Sequence, residues 1–353
     1  MSGRPRVSVV IPAYNRARYL PAAIGSVLGQ SFADFELIVV DDGSTDDTAE
    51  VVRGIADPRL RLVTNPVSLG IAGARNRGLD HARGEYVAAL DSDDAAYPQR
   101  LARQVAFLDA RPDLALVGSW SSWMDERGRT LGRVKRRPVD ADDAAALLIF
   151  NSCLTQSSVM IRTAVLREYR YNEAFTMSSD FELWARLAAG GRRMASLPEA
   201  LVCQREHPSR TTREKAERVA ECQRAIYRWQ LDRLGVRYDE ADLRRHHLLP
   251  RSPKKAGPTD LAYLDWAEDW LQRLADANRR RGWFEPGAFA RVLGRAWAMA
   301  CYRAGRQHGW PALRRFARSP LRRPALSGLR GQLALELAGG PWLAQRARRQ
   351  ATA

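Results

Sequence analysis

Apolar positions fall in blocks over the first part of the chain. Residues 7–11 form a β-branched run closed by Pro12. Residues 36–40 form a second run that ends in Asp41, Asp42, Gly43 and Ser44. A short third run covers 60–63, and Glu85 opens a fourth that reaches Leu90. Continuous runs of this kind predict strands covered on both faces. Between the first two, Tyr19, Leu20, Ala23, Ile24, Val27 and Leu28 recur with helical spacing, and 70–83 reads as a turn and helix. Asp46 and Asp47 stand where a helix N-terminus favours acid. Strand alternating with helix predicts an α/β fold, a doubly wound and mainly parallel sheet flanked by helices.

The pattern continues with a strand over 114–120, a hairpin turn at 125–129 and a strand over 156–161. A helix over 180–189 carries Phe181, Leu183, Trp184 and Leu187, and 197–204 is extended. From Thr211 the periodicity becomes helical. Thr211 and Glu214 match a capping box, with Gly235 as the C-cap of the helix they open. A second helix, over 259–281, places Leu261, Leu264, Leu271 and Leu274 on one side and ends at Gly282. A third covers 289–303, and 251–258, with two prolines and a glycine, reads as a linker. The expected division is a domain over 1–210 and an Arg-rich α-helical extension over 211–353.

A chain of 353 residues has room for about two domains. The net charge of +16 is concentrated: residues 1–210 contribute +1 and residues 211–353 contribute +15. Three readings of the basic part follow. It packs on the first domain, it contacts an anionic membrane surface, or it binds nucleic acid. The last is ranked lowest, because no nucleic-acid-binding motif accompanies the charge, and no nucleic acid is expected as a partner. Four well-separated cysteines argue against a zinc knuckle or disulfide framework and fit a reducing compartment. The first residues lack a signal-peptide core and no run of 18 apolar residues occurs. The expected location is cytoplasmic, or the cytoplasmic face of a membrane.

The candidate chemistry lies at the end of the fourth run, where Asp91, Asp93 and Asp94 fall within four residues. Ligands bind outside the carboxyl ends of strands in open α/β sheets, and clustered carboxylates there suit a hard cation shared with phosphates. A solvated turn or helix start fits the same acids about equally well. Four stretches then stand in order: Ile11-Pro12-Ala13-Tyr14-Asn15, Val39 through Ser44, Ala74-Arg75-Asn76-Arg77-Gly78, and Gly84 through Asp94. Over roughly 5–210 this combination resembles glycosyltransferase family 2, whose members share a nucleotide-sugar-binding GT-A fold.

The resemblance implies transfer of a sugar from a nucleotide-diphosphate donor to a glycan or lipid-linked acceptor, usually with inversion and with Mg²⁺ or Mn²⁺. Pro12 and Tyr14 would border the base, with the Tyr14 ring stacked on it. Asn15 belongs to the same donor-binding stretch, and Asp42 would accept a hydrogen bond from the base. Arg75 and Asn76 would lie near the nucleotide. Asp91 would face ribose or metal, Asp93 would ligate the metal, and Asp94 would cap the next helix. Asp180 takes the position of the catalytic base, although Ser179 stands where relatives commonly carry Glu. As an N-cap, Asp180 would still be compatible with that role. Arg205 would clamp phosphate and His207 would touch metal or phosphate. Trp120 and Trp123 suit either an acceptor platform or the core. Two alternatives remain at this stage, a nucleotidyltransferase of related fold and an inert nucleotide-sugar-binding protein. The first usually carries a glycine-rich loop after the first strand, and Ala13-Tyr14-Asn15-Arg16 has no glycine.

Overall fold

The structure, a computed structural model, describes residues 3–207, 216–256 and 259–327, with only the backbone of 254 and 255. It divides into two compact units, Met1–Ile226 and Tyr227–Ala353.

In the first unit, strands β1 (Val7–Ala13), β2 (Phe35–Asp41), β3 (Leu60–Thr64) and β4 (Tyr86–Ala89) are mutually parallel in the order β3-β2-β1-β4. β1 and β2 are buried at every position, which is why they read as mainly apolar runs, with Ser8 and Glu36 the polar exceptions inside the sheet. Pro12 does not stop β1 as the pattern suggested. It pairs in register with Val40 of β2, while pairing with β4 ends at Val10, so the missing N–H faces no ladder on that side. Beyond β4 the sheet turns mixed. β8 (Met160–Arg162) runs antiparallel to both β4 and β6 (Leu114–Met124), and β6 runs parallel to β9 (Arg193–Arg205). β7 (Thr130–Lys135) forms the expected hairpin with β6, and β5 (Ala95–Ala96) adds to β9.

The strand expected over 156–161 is mostly something else. Gln156–Ser158 is a 3-10 turn and only Met160–Arg162 joins the sheet. Gln156, Ser157 and Ser158 are buried polar residues, and the two serine hydroxyls bond to neighbouring loops and strands, so no apolar strand face exists there.

Helices α1 (Leu20–Leu28), α2 (Thr48–Arg53) and α3 (Gly70–His81) connect the parallel strands: α1 follows the predicted spacing, α2 starts directly after Asp46 and Asp47, and α3 lies within the 70–83 stretch. Gly78 lets α3 lie close on the sheet, since a Cβ there would sit 2.3 Å from Val10 Cγ1. Then come α4 (Arg100–Asp109), α5 (Ala141–Leu147), α6 (Thr163–Tyr169) and α7 (Ser179–Ala189).

One polar feature crosses the sheet. Glu36 is 3% exposed within β2 and receives Ser8 Oγ at 2.7 Å, the Arg83 backbone N–H at 2.8 Å and Arg83 Nε at 2.9 Å. Burial opposes its charge, but these hydrogen bonds and the Arg83 charge outweigh burial and hold the carboxyl below its ordinary range. A depressed folded-state value means that the unfolded chain binds the proton more readily. The stabilisation is therefore complete above the ordinary carboxylate value and is lost as pH falls through the folded-state value. Glu36→Gln should cost about 1.5–3 kcal/mol at neutral pH. Urea unfolding measured from neutral to acid pH should show the gap to wild type closing in acid. A gap that stays constant would exclude this origin.

The second unit is helical. Helix α8 (Ala216–Leu234) contains the division between units and ends at Gly235, whose φ of 74° suits a glycine C-cap. Thr211 and Glu214 lie outside the described residues. After α9 (Glu240–Leu248), the expected linker contains a helical turn, α10 (Pro253–Ala256), because proline is tolerated in a first turn. Helix α11 (Leu261–Arg281) buries Leu264, Leu271 and Leu274 and ends at Gly282 in the left-handed region. Helix α12 (Pro286–His308) outruns its expected limits at both ends, and α13 (Trp310–Arg318) follows it. Among the described residues, no helix is long and apolar enough to cross a membrane.

Candidate active site

The candidate residues gather at the carboxyl ends of β1, β2 and β4, where the sheet order reverses about β1. After β4 the chain reaches Asp91, whose Oδ1 accepts from Arg75 Nη2 at 3.0 Å and whose Oδ2 accepts from Ser157 Oγ at 2.9 Å. Arg75 stands on α3 with its side chain 10% exposed and its guanidinium 5.4 Å from the Tyr171 ring centroid. Its Nη1 also donates to Ser179 Oγ at 3.3 Å, at the first residue of α7. One buried guanidinium therefore ties the end of β4 to the start of α7. Burial alone would lower its pKa, but Asp91, Tyr171 and Asp180 together raise it.

Asp180 is the second residue of α7, and Ser178 is the N-cap, held at φ 56° in the left-handed region. Asp180 is thus not the cap. Its partly exposed carboxylate has no hydrogen-bond or ion-pair partner among the described residues, and lies within electrostatic reach of Arg75 and Arg137. Arg137 is a residue that the sequence did not single out. It donates to Ser152 O at 2.9 Å and Thr155 Oγ1 at 3.3 Å, and its burial lowers its pKa. A partly buried cation with no carboxylate contact among the described residues contributes a field at Asp180.

Asp93 and His207 meet at 2.9 Å between Oδ2 and Nε2. The imidazole is fully buried, with the Tyr19 ring 4.8 Å away. Asp94 is buried beneath them, accepting Ser157 Oγ at 2.5 Å and the Arg205 backbone N–H at 2.9 Å. Burial first, then Asp93 and Asp91, push its carboxyl up to about 8. Ser157 thus bridges Asp91 and Asp94. A polar residue inside a predicted strand was the signal that could have found it.

Among the described residues, no three His, Cys, Asp or Glu side chains cluster to hold a metal. Asp93 and His207 nevertheless fit a divalent cation that draws its remaining ligands from a donor diphosphate, because one or two protein ligands suffice for such sites. Asp91 was expected to share that role, but the structure pairs it with Arg75 and Ser157.

Other expected donor contacts are engaged differently. Both Asp42 oxygens are saturated: Oδ1 accepts from Asn65 Nδ2 and the Leu69 N–H, Oδ2 from Ser68 Oγ and the Gly70 N–H. Asp42 therefore orders the 65–70 loop. Asn15 accepts from the Thr45 N–H at 2.8 Å, which fastens the loops after β1 and β2 together. Asn76 is buried, bonding to Tyr171 and Glu173 rather than facing the site. Arg205 donates to the carbonyls of Asp93, Asp125 and Glu126, so it supports the acidic turn where a phosphate clamp was expected. Tyr14 remains 48% exposed. Pro12 lines a small cavity with Arg75, Asp91, Gln156 and Tyr171, and the buried Gln156 Oε1 has no hydrogen-bond partner among the described residues. Trp120 is 1% exposed and donates to Arg137 O, so it belongs to the core.

This geometry, acids from separate segments gathered at strand ends, can be set beside known proteins. The glycosyl transferase family 2 profile matches residues 8–170. A putative glycosyltransferase, EpsE of Bacillus subtilis, is 32% identical over 212 residues, covering 58% of this chain and 75% of that one. The Escherichia coli protein WfaP, named UDP-Glc:alpha-D-GlcNAc-diphosphoundecaprenol beta-1,3-glucosyltransferase, is 30% identical over 185 residues, covering 52% and 71%. The mannosyltransferase PcManGT from Pyrobaculum calidifontis, solved with GDP-Man and Mn²⁺, superposes with a TM-score of 0.53 at 22% identity, covering 93% of this chain and 88% of that one. The chain belongs to glycosyltransferase family 2. It is a glycosyltransferase of GT-A fold, with relatives in polysaccharide and lipid-linked glycan synthesis.

Proposed function

We propose that the protein is a metal-dependent inverting glycosyltransferase, with residues 1–210 catalytic and 211–353 an Arg-rich helical extension. The donor is a nucleotide-diphosphate sugar and the acceptor a glycan or lipid-linked hydroxyl. Lipid-linked acceptors, as WfaP's name records for that enzyme, would place the reaction at the cytoplasmic face of an anionic membrane. The observation that carries the reading is the Arg75 junction, which brings the start of α7 and therefore Asp180 to the same strand ends as Asp91.

In this reading Asp180 takes the acceptor hydroxyl proton as that oxygen attacks the anomeric carbon. The bond from that carbon to the diphosphate breaks on the opposite face, the bonding pair leaves with the nucleoside diphosphate, and the configuration inverts. Arg75 holds Asp91 in place and places positive charge where the leaving group gains negative charge. Asp93 and His207 would hold Mg²⁺ or Mn²⁺, which supplies Lewis-acid stabilisation of the departing diphosphate. Pro12 and Tyr14 border the base, while Asn15, Asp42 and Asn76 fix the loops around it. Arg205 supports the Asp93 turn.

A panel of nucleotide sugars, tested by thermal shift with and without Mn²⁺, should contain a donor that stabilises the protein in a metal-dependent way. Transfer from that donor should give a product of inverted anomeric configuration by NMR. A retained configuration would remove the single-displacement mechanism.

A further inference from the structure

Four of the nine large hydrophobic side chains exposed among the described residues fall between Tyr302 and Leu326. On α13, Trp310 is 72% exposed and Leu313, one turn later, is 53% exposed. Ala317 continues that face and is also exposed. The opposite side is packed: Ala312 is fully buried, and Arg315 reaches back to Asp265 and Leu261 O. Arg314 and Arg318 flank the apolar face, and among the described residues neither meets a carboxylate. The stretch 306–326 holds six arginines and no acid.

We propose that the Trp310–Leu313–Ala317 face of α13, with Arg314 and Arg318 beside it, docks on an anionic lipid bilayer. This gives a surface to the membrane-side location proposed above, but it depends on no catalytic assignment. An apolar strip rimmed with arginine fits an interfacial helix, whose apolar side enters the headgroup boundary while the cations meet anionic lipid. Tryptophan suits the headgroup level, where its ring is half apolar and its N–H stays wet. Charge complementarity selects this occupant. A second copy on the same face would bring Arg314 and Arg318 against their own equivalents, and nucleic acid would leave Leu313 and Ala317 without apolar cover.

The test is flotation of the full-length protein with vesicles of phosphatidylcholine, alone or mixed with phosphatidylglycerol. Binding should require the anionic lipid and weaken with salt. Arg314→Gln with Arg318→Gln should reduce partitioning about thirtyfold, from the contribution of each arginine near the surface. Trp310→Ala with Leu313→Ala should reduce it about tenfold or more. All variants alter exposed positions, and unchanged unfolding temperatures and donor-induced stabilisation would confirm intact folds. Failure here thus stays distinct from failure of the glycosyltransferase reading. Equal flotation of parent and variants overturns the proposal. So does a result in which the same substitutions dissolve a dimer or abolish nucleic-acid retention while vesicle binding is unchanged.

Discussion

Asp180→Asn should lower kcat about 10²- to 10⁴-fold, the usual range for loss of a positioned general base. The change preserves shape and removes the capacity to accept a proton. Because no described residue bonds to the Asp180 carboxylate, the substitution breaks no contact among the described residues, so folding should survive. Donor binding should survive as well, since the neighbouring Arg75 keeps both Asp91 and Ser179. The measurement is transfer kinetics beside donor-induced thermal stabilisation, with Asp180→Glu as the conservative comparison. Turnover within a few fold of wild type would remove Asp180 from the reaction. Arg75 and Arg137 both lie within electrostatic reach of Asp180.

Asp93→Ala should erase the metal-dependent part of donor binding. In the wild type a donor at a hundredfold excess over its Kd adds about 2.7 kcal/mol of stability. With Asp93 gone, the shift measured with Mn²⁺ should match the shift measured with EDTA. His207 alone would then face the diphosphate without the carboxylate that now lies 2.9 Å from it. Undiminished metal dependence would move the cation away from Asp93. The two substitutions read different steps: the first spares donor binding and loses transfer, the second loses metal-linked binding itself.

Part of this was readable in the chain. The runs at 7–11 and 36–40 announce β1 and β2 because both faces of a central parallel strand are covered, so burial leaves a continuous apolar signature. Helices α1 and α11 follow from apolar residues at helical spacing, because each buries one face. Elements whose burial is polar gave no such signature. Residues 100–109 fold into α4, yet the fully buried Arg100 and Gln104 interrupt its apolar stripe. Arg100 spends its guanidinium on Gln104 and the carbonyls of Ala89 and Val159, partners that periodicity does not name. Likewise Ser157 sits in a stretch that looked like a strand and instead links two acids of the site.

The sequence by itself determined the class of protein, the alternation of strand and helix, and the set of acids available for chemistry. Those depend on local burial periodicity and on residue types in order along the chain. Only the tertiary structure decided their assignments: Asp91 to Arg75, Asp93 to His207, Asp42 to the 65–70 loop, and Asp180 to a position without a partner among the described residues. The physical reason is that a carboxylate's role follows from which donors reach it and how much water they displace. Those donors come from distant segments, as Asp93 and His207 do, and no local pattern records the meeting.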